Sequence, residues 1–153
     1  MERLLNTSGK ILGVDFGDKR TGLAVCDKTR FLASGIGQIC VGGMQKTAER
    51  IAEIVKEENI TGGIVVGLPV NMNGSHGPRA EHAQKFASIL AEKLTLAGID
   101  LPVVMLDERM TTMAASRYLN ETDTRGKKRK SVIDTLSAEI ILQNALDKLK
   151  NMK

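Results

Sequence analysis

Three carboxylates stand where solvated surface is a poor explanation for an acid. Asp15 ends the apolar run Ile11-Leu12-Gly13-Val14, Glu108 closes the segment begun by Val103-Val104-Met105-Leu106, and Asp134 opens the last amphipathic stretch. If these elements pack side by side, the carboxylates converge. Clustered carboxylates repel one another, so a fold that gathers them supplies a cation, and hard oxygen donors suit Mg²⁺ or Mn²⁺. The chemistry expected of such a cluster is metal-dependent hydrolysis of a phosphodiester, with Asp15, Glu108 and Asp134 as metal ligands and catalytic residues.

Each acid also has a structural explanation. Asp15 could accept backbone N–H groups in the turn at Gly17-Asp18, a common task for Asp. Asp107-Glu108-Arg109 follows an apolar strand, and adjacent strand residues face opposite ways, so only one of the two acids can join a site on a given face. Arg109 pairs with the other acid or contacts a phosphate. Ser131-Val132-Ile133-Asp134 has the spacing of a capping box, yet Asp134 shares a helical stripe with Ala138, Ile141 and Ala145, which argues for a position against the sheet.

The elements that must position these residues follow from periodicity. Residues 10–16, 21–26 and 31–39 read as three strands joined by the turns Gly17-Asp18-Lys19-Arg20 and Asp27-Lys28-Thr29-Arg30, an antiparallel meander. From Met44 the period changes to that of a helix through Ala48, Ile51, Ala52 and Val55. Residues 63–68 form a buried strand ended by Pro69, residues 78–97 a helix from Pro78 to a stop at Gly98, and residues 101–106 a fifth strand. A short helix to Leu119 and a final helix over residues 131–150 complete the chain, and the polar residues 120–130 between them read as a mobile loop. This order implies an α/β fold with one five-stranded mixed sheet, three antiparallel strands then two parallel, flanked by helices.

Composition narrows the function classes. A chain of 153 residues fits one domain, 1–153. With no Trp and 3% aromatic residues, stacking platforms that read bases are not expected. The 22 basic residues only modestly exceed the 18 acidic ones, but Lys127, Lys128, Arg129 and Lys130 are consecutive, a local field suited to a polyanion. The loop over residues 69–77, with Asn71, Asn73, Gly74 and Ser75, precedes a helix N-terminus where a substrate phosphate can dock. His76 and His82 lack zinc spacing and read as surface residues. Cys26 and Cys40 read as reduced, buried strand residues of a cytoplasmic protein, and no apolar run reaches membrane-spanning length.

Several segments together carry a resemblance. Val14-Asp15-Phe16-Gly17 with Arg20-Thr21-Gly22-Leu23-Ala24-Val25, Gly67-Leu68-Pro69 with Asn71-Met72-Asn73-Gly74 and Gly77-Pro78, and Asp107-Glu108-Arg109 with Thr111-Thr112 resemble the bacterial YqgF family, also described as RuvX-type Holliday junction resolvases. The match extends in order over nearly the whole chain. The resemblance implies a ribonuclease H-like fold with Asp15, Glu108 and Asp134 at the acidic positions of that superfamily's metal site. It implies a nuclease acting on the 5′ end of precursor 16S ribosomal RNA, or alternatively on four-way DNA junctions. Arg20, Asn73, Gly74, Arg109 and Lys127 to Lys130 are then the expected nucleic-acid contacts, in a monomer or a homodimer. Glu139, the next acid of the last helix, lies off the stripe of Asp134.

Two rivals from other classes remain at this level. An actin-like kinase is suggested by Asp15-Phe16-Gly17, but such enzymes enclose nucleotide between two lobes and this chain has material for one. A non-catalytic nucleic-acid-binding factor would keep the basic run without any dependence on divalent metal.

Overall fold

The computed structural model describes residues 1–70, 73–107 and 126–152, with the side chains of the last helix described from Thr135 onward. The elements in order are α1 (Glu2–Leu5), β1 (Ile11–Asp15), β2 (Thr21–Cys26), β3 (Ala33–Ile39), α2 (Met44–Glu57), β4 (Gly63–Leu68), α3 (Pro78–Leu96), β5 (Val103–Asp107) and α4 (Gly126–Met152). The strands form one sheet in the order β3-β2-β1-β4-β5. β1 pairs antiparallel with β2 and parallel with β4, β2 pairs antiparallel with β3, and β4 pairs parallel with β5. The mixed sheet expected from the strand order is therefore present. The short helix expected to end at Leu119 lies outside the described residues.

Central strands that are apolar at every position must be covered on both faces. On one face Leu12, Val14, Leu23, Ile64 and Val66 pack under α2 and α3, where Ile51, Phe86, Leu90 and Leu94 are buried. On the other, Ile11, Ala24, Val65, Val104 and Leu106 pack under α4 through Ala138, Ile141, Leu142 and Leu146. Full burial of each large side chain contributes roughly 1.5–3 kcal/mol before entropy is counted. α3 ends where expected: Gly98 takes φ +75°, and the Ile99 N–H reaches back to the Leu94 carbonyl at 2.8 Å, a Schellman-type stop.

α4 approaches the sheet closely because glycines face it. A Cβ on Gly13 would sit 2.7 Å from the Leu142 Cβ and 3.1 Å from the Ala138 carbonyl oxygen. The helix direction follows from its contacts with β3. Gln143 accepts the Ala33 N–H at 3.0 Å where β3 begins, while Thr135 and Glu139 lie against Gly35 further along. α4 thus runs antiparallel to β1 and β3, and its first turns point toward the edge where β1, β4 and β5 end.

Two sequence expectations change here. Helix α4 begins at Gly126, so Lys127 to Lys130 lie in its first turns and not in a loop, and Ser131 and Asp134 are helix interior. The capping-box explanation of Asp134 falls with that start. Lys and Arg are good helix formers, and the lack of apolar residues in this segment had concealed their propensity. Cys26 is buried in β2, but Cys40 follows the end of β3 and is exposed.

Candidate active site

Asp15 is the last residue of β1, half-buried, and faces Gly22 of β2 in the register. On its other side Val14 pairs with Val66, and the next residue of β4 is Gly67. The positions of both neighbouring strands nearest to Asp15 are therefore glycines. Along β1, Ile11 belongs to the α4-side core and Leu12 and Val14 to the opposite one, so alternation puts Asp15 on the α4 face. The turn that follows is held tightly. A Cβ on Gly17 would collide with the Arg20 carbonyl oxygen, and Phe16 stacks on Phe86 of α3 with ring centroids 4.3 Å apart.

The same row across the sheet holds a residue that sequence reasoning missed. Gly22 pairs with Gln38 of β3, whose side-chain carbonyl oxygen is buried with no hydrogen-bond partner among the described residues. Simple alternation from Ala33 assigns Gln38 to the wrong face. A bulge intervenes: Leu23 pairs with Gly37 and Ala24 with Gly35, leaving Ile36 as the extra residue. Accordingly Ala33 joins the α4-side core and Ile39 the opposite one, although both are odd-numbered.

Asp107 ends β5 opposite Leu68, at the same sheet edge as Asp15, and is exposed. It follows Val103 and Met105, which pack against the α2–α3 core, so register places it on the face opposite to Asp15. Glu108 and Arg109 lie outside the described residues, as does Asn71. Asp134 is an α4 position one turn before Ala138. The backbone brings its element to Asp15: the two steps from Gly13 to Asp15 span about 7 Å, and the turn from Ala138 back to Asp134 about 6 Å in the same direction. Among the described residues no three metal-ligating side chains converge, and two of the three expected carboxylates are not among those whose side chains are described.

The β4–α3 loop opens on this edge as well. Asn73 accepts the Ser75 N–H at 3.0 Å and its hydroxyl at 2.6 Å, and Gly74 takes φ +88°. α3 starts at Pro78 with no side-chain cap on its free N–H groups. Beside it, His82 Nδ1 lies 3.7 Å from the Asp18 carboxylate, both exposed, and His76 is an exposed neighbour of Gln84. Arg20 sits half-buried in the turn between β1 and β2. Glu139 lies beside Gly35, in the next row of the same face, that of Gly13, Ala24 and Gly35, and burial pushes its carboxyl above the usual glutamate value.

The family described as RuvX, Holliday junction resolvase, matches residues 9–148. The chain belongs to the RuvX family. A relative from Pelotomaculum thermopropionicum, named "Putative pre-16S rRNA nuclease", is 46% identical over 139 residues, covering 90% of this chain and 86% of that one. A Bacillus cereus relative of the same name is 46% identical over 141 residues, covering 91% and 98%. Among solved structures, Thermus thermophilus RuvC in complex with a Holliday junction substrate aligns with a TM-score of 0.57 at 13% identity, over 94% of this chain and 96% of that one. The yeast mitochondrial Holliday junction resolvase Ydc2 aligns with a TM-score of 0.50 at 11% identity, over 99% and 87%. At such identities the structural likeness concerns the fold alone: the chain has the ribonuclease H-like fold expected of the family.

Proposed function

We propose that this RuvX-family protein is a metal-dependent nuclease that trims the 5′ end of precursor 16S ribosomal RNA in the cytoplasm. The observation that carries the reading is the position of Asp15, a half-buried carboxylate at the carboxyl edge of β1, between Gly22 and Gly67, with α4 crossing antiparallel above it. The substrate is taken from the relatives' shared name at close to half identity over nine-tenths of the chain.

Asp15, Glu108 and Asp134 would hold Mg²⁺ or Mn²⁺. Their donors are all hard oxygens, and the strand positions flanking Asp15 are glycines, which add no Cβ to the space an ion needs, so the residues fit such an ion. Asp107 shares the parity of Val103 and Met105, on the face opposite to Asp15, which leaves it out of the set. When bound, the cation supplies an activated water and stabilises the departing oxygen of the phosphodiester.

The remaining residues hold the strand. The first turns of α4 combine two positive fields, the helix N-terminus and the cationic run Lys127 to Lys130, and nothing acidic offsets them in the first turn. A phosphate backbone relieves that repulsion. Asn73 and Gly74 ahead of α3, with Arg20 and Arg109, would position flanking phosphates, which makes binding strongly salt-dependent.

The family's own description favours a second substrate, the four-way DNA junction. Both are tested together: a labelled precursor 16S RNA fragment and a four-way junction are incubated with the protein in Mg²⁺, Mn²⁺ or chelator, beside Asp15→Asn. Expected is metal-dependent RNA cleavage that falls by about 10³-fold or more, ~4 kcal/mol of barrier, in the variant while RNA binding persists. Cleavage retained in Asp15→Asn removes Asp15 from the mechanism. Cutting of the junction alone transfers the assignment to DNA, and binding without any cutting leaves a non-catalytic factor.

A further inference from the structure

The opposite end of the sheet, where β1 begins, holds a cavity that the nuclease reading leaves unused. It encloses about 270 Å³ between the segment leading into β1, the β2–β3 turn and the last turns of α4. Its floor is apolar, with Leu146 and Leu149 buried beneath it. Its cations are Lys28, Arg30 and Lys150, and among the described residues that line it there is no carboxylate.

Arg30 is built into the wall. It adopts φ +59°, unusual for a residue with a side chain, and is held there by three hydrogen bonds. Nε donates to the Gly9 carbonyl at 2.8 Å, Nη1 to the Leu4 carbonyl at 2.8 Å and Nη2 to the Thr7 hydroxyl at 3.0 Å. All three acceptors are neutral, so the guanidinium is fixed in place without being neutralised. The nearest acid in the turn is occupied elsewhere: Asp27 accepts the Thr29 hydroxyl at 2.8 Å and the Phe31 N–H at 3.0 Å. Those bonds shape the turn that presents Lys28 and Arg30.

Next to the cavity Phe31 is 56% exposed, an unusual position for a large aromatic, and Lys150 Nζ lies 4.2 Å from its ring centroid. In a chain otherwise poor in aromatic residues, one fixed guanidinium and two exposed lysines beside an exposed ring are the parts of a single-strand contact: phosphates take the cations and a base takes the ring face. The volume suits a nucleotide-sized group rather than a larger ligand.

We infer that this cavity is a second docking site for the nucleic-acid strand, in which Lys28, Arg30 and Lys150 receive successive backbone phosphates and Phe31 stacks a base. The inference rests on the nucleic-acid reading of the protein. From Gly9 to Asp15 the nearly extended chain covers about 20 Å, so a strand that reaches both places crosses the length of the sheet. The cavity anchors the strand and leaves the bond-breaking to the far edge.

The test is binding of a single-stranded RNA of about 16 nucleotides, in chelator, by fluorescence anisotropy across a salt series. The proteins are the full chain, Lys28→Ala/Lys150→Ala, Phe31→Ala, and the control Lys46→Ala/Lys56→Ala, which removes two exposed cations of α2. Arg30 is left intact because it holds the chain around it. Loss of two phosphate contacts should raise Kd about tenfold and make the plot of log K against log salt shallower by about 1.4. Phe31→Ala should raise Kd several-fold with the slope unchanged, and the control should match the parent. Parent-like affinity and slope in Lys28→Ala/Lys150→Ala overturn the site, and an equal loss in the control overturns it too, since the effect is then diffuse charge. Because the readout is binding, absence of cleavage by the parent protein would defeat the nuclease assignment without touching this result.

Discussion

The two faces of the sheet are built to different rules. Under α2 and α3 the sheet meets large side chains, with Phe86, Leu90, Leu94 and Ile51 interlocking over Leu12 and Val14. Under α4 it presents small residues, Gly13, Ala24 and Gly35, and the helix answers with Ala138 and Ala145, so backbones approach instead of side chains. Asp15, Gln38 and Glu139 lie on the second face, at its ends and margin. The first face supplies stability that tolerates substitution elsewhere; the second trades apolar area for proximity, and proximity is what a set of carboxylates from different elements requires.

The contrast can be broken from either side. Phe86→Ala should cost about 3–5 kcal/mol in chemical denaturation, because a buried ring is lost together with its stack on Phe16. Cleavage per folded molecule should change far less than stability does. Gly13→Ala should cost less, about 1–3 kcal/mol, since the added methyl meets Leu142 and the Ala138 backbone. Yet it should depress cleavage more than Phe86→Ala, because α4 must lift and carries Asp134 with it. Equal activity losses in the two variants would show that the faces are not functionally distinct.

The smallest effect sharpens the polar side. Burial raises the Glu139 carboxyl above its unfolded value, so the unfolded chain releases that proton first as pH rises. Its contribution is neutral below the ordinary carboxylate range and becomes destabilising as pH climbs through and above it. Glu139→Gln should therefore be the more stable protein at pH 7, by a fraction of a kcal/mol, with the two melting temperatures meeting near pH 4. A constant offset across pH would mean that the carboxylate is not the cause.

Much of this organisation is written locally. The run Gly63 to Leu68, with Pro69 after it, could only be a buried strand, and Gly98 marked the end of α3 because a left-handed stop was needed there. The place of Asp15 at the end of a buried strand was legible for the same reason, an acid closing an apolar run. What stayed hidden depends on pairing between distant segments. The bulge at Ile36 reverses the face of Gln38, and no periodicity shows an insertion whose partner strand is unknown. Arg30 read as an ordinary turn cation, although its role depends on carbonyls at Leu4 and Gly9. The start of α4 was misplaced because its first turns carry charge instead of an apolar stripe.

The bulge has one more effect, on the company the protein keeps. β3 is the outer strand of the sheet, and an outer strand offers unpaired N–H and C=O groups to any other extended chain. Ile36 interrupts that row near its middle and twists it locally, so a second copy cannot zip along the full edge. The extra residue that turns Gln38 toward the row of Asp15 thus also guards the margin of the sheet against runaway strand addition in a crowded cell.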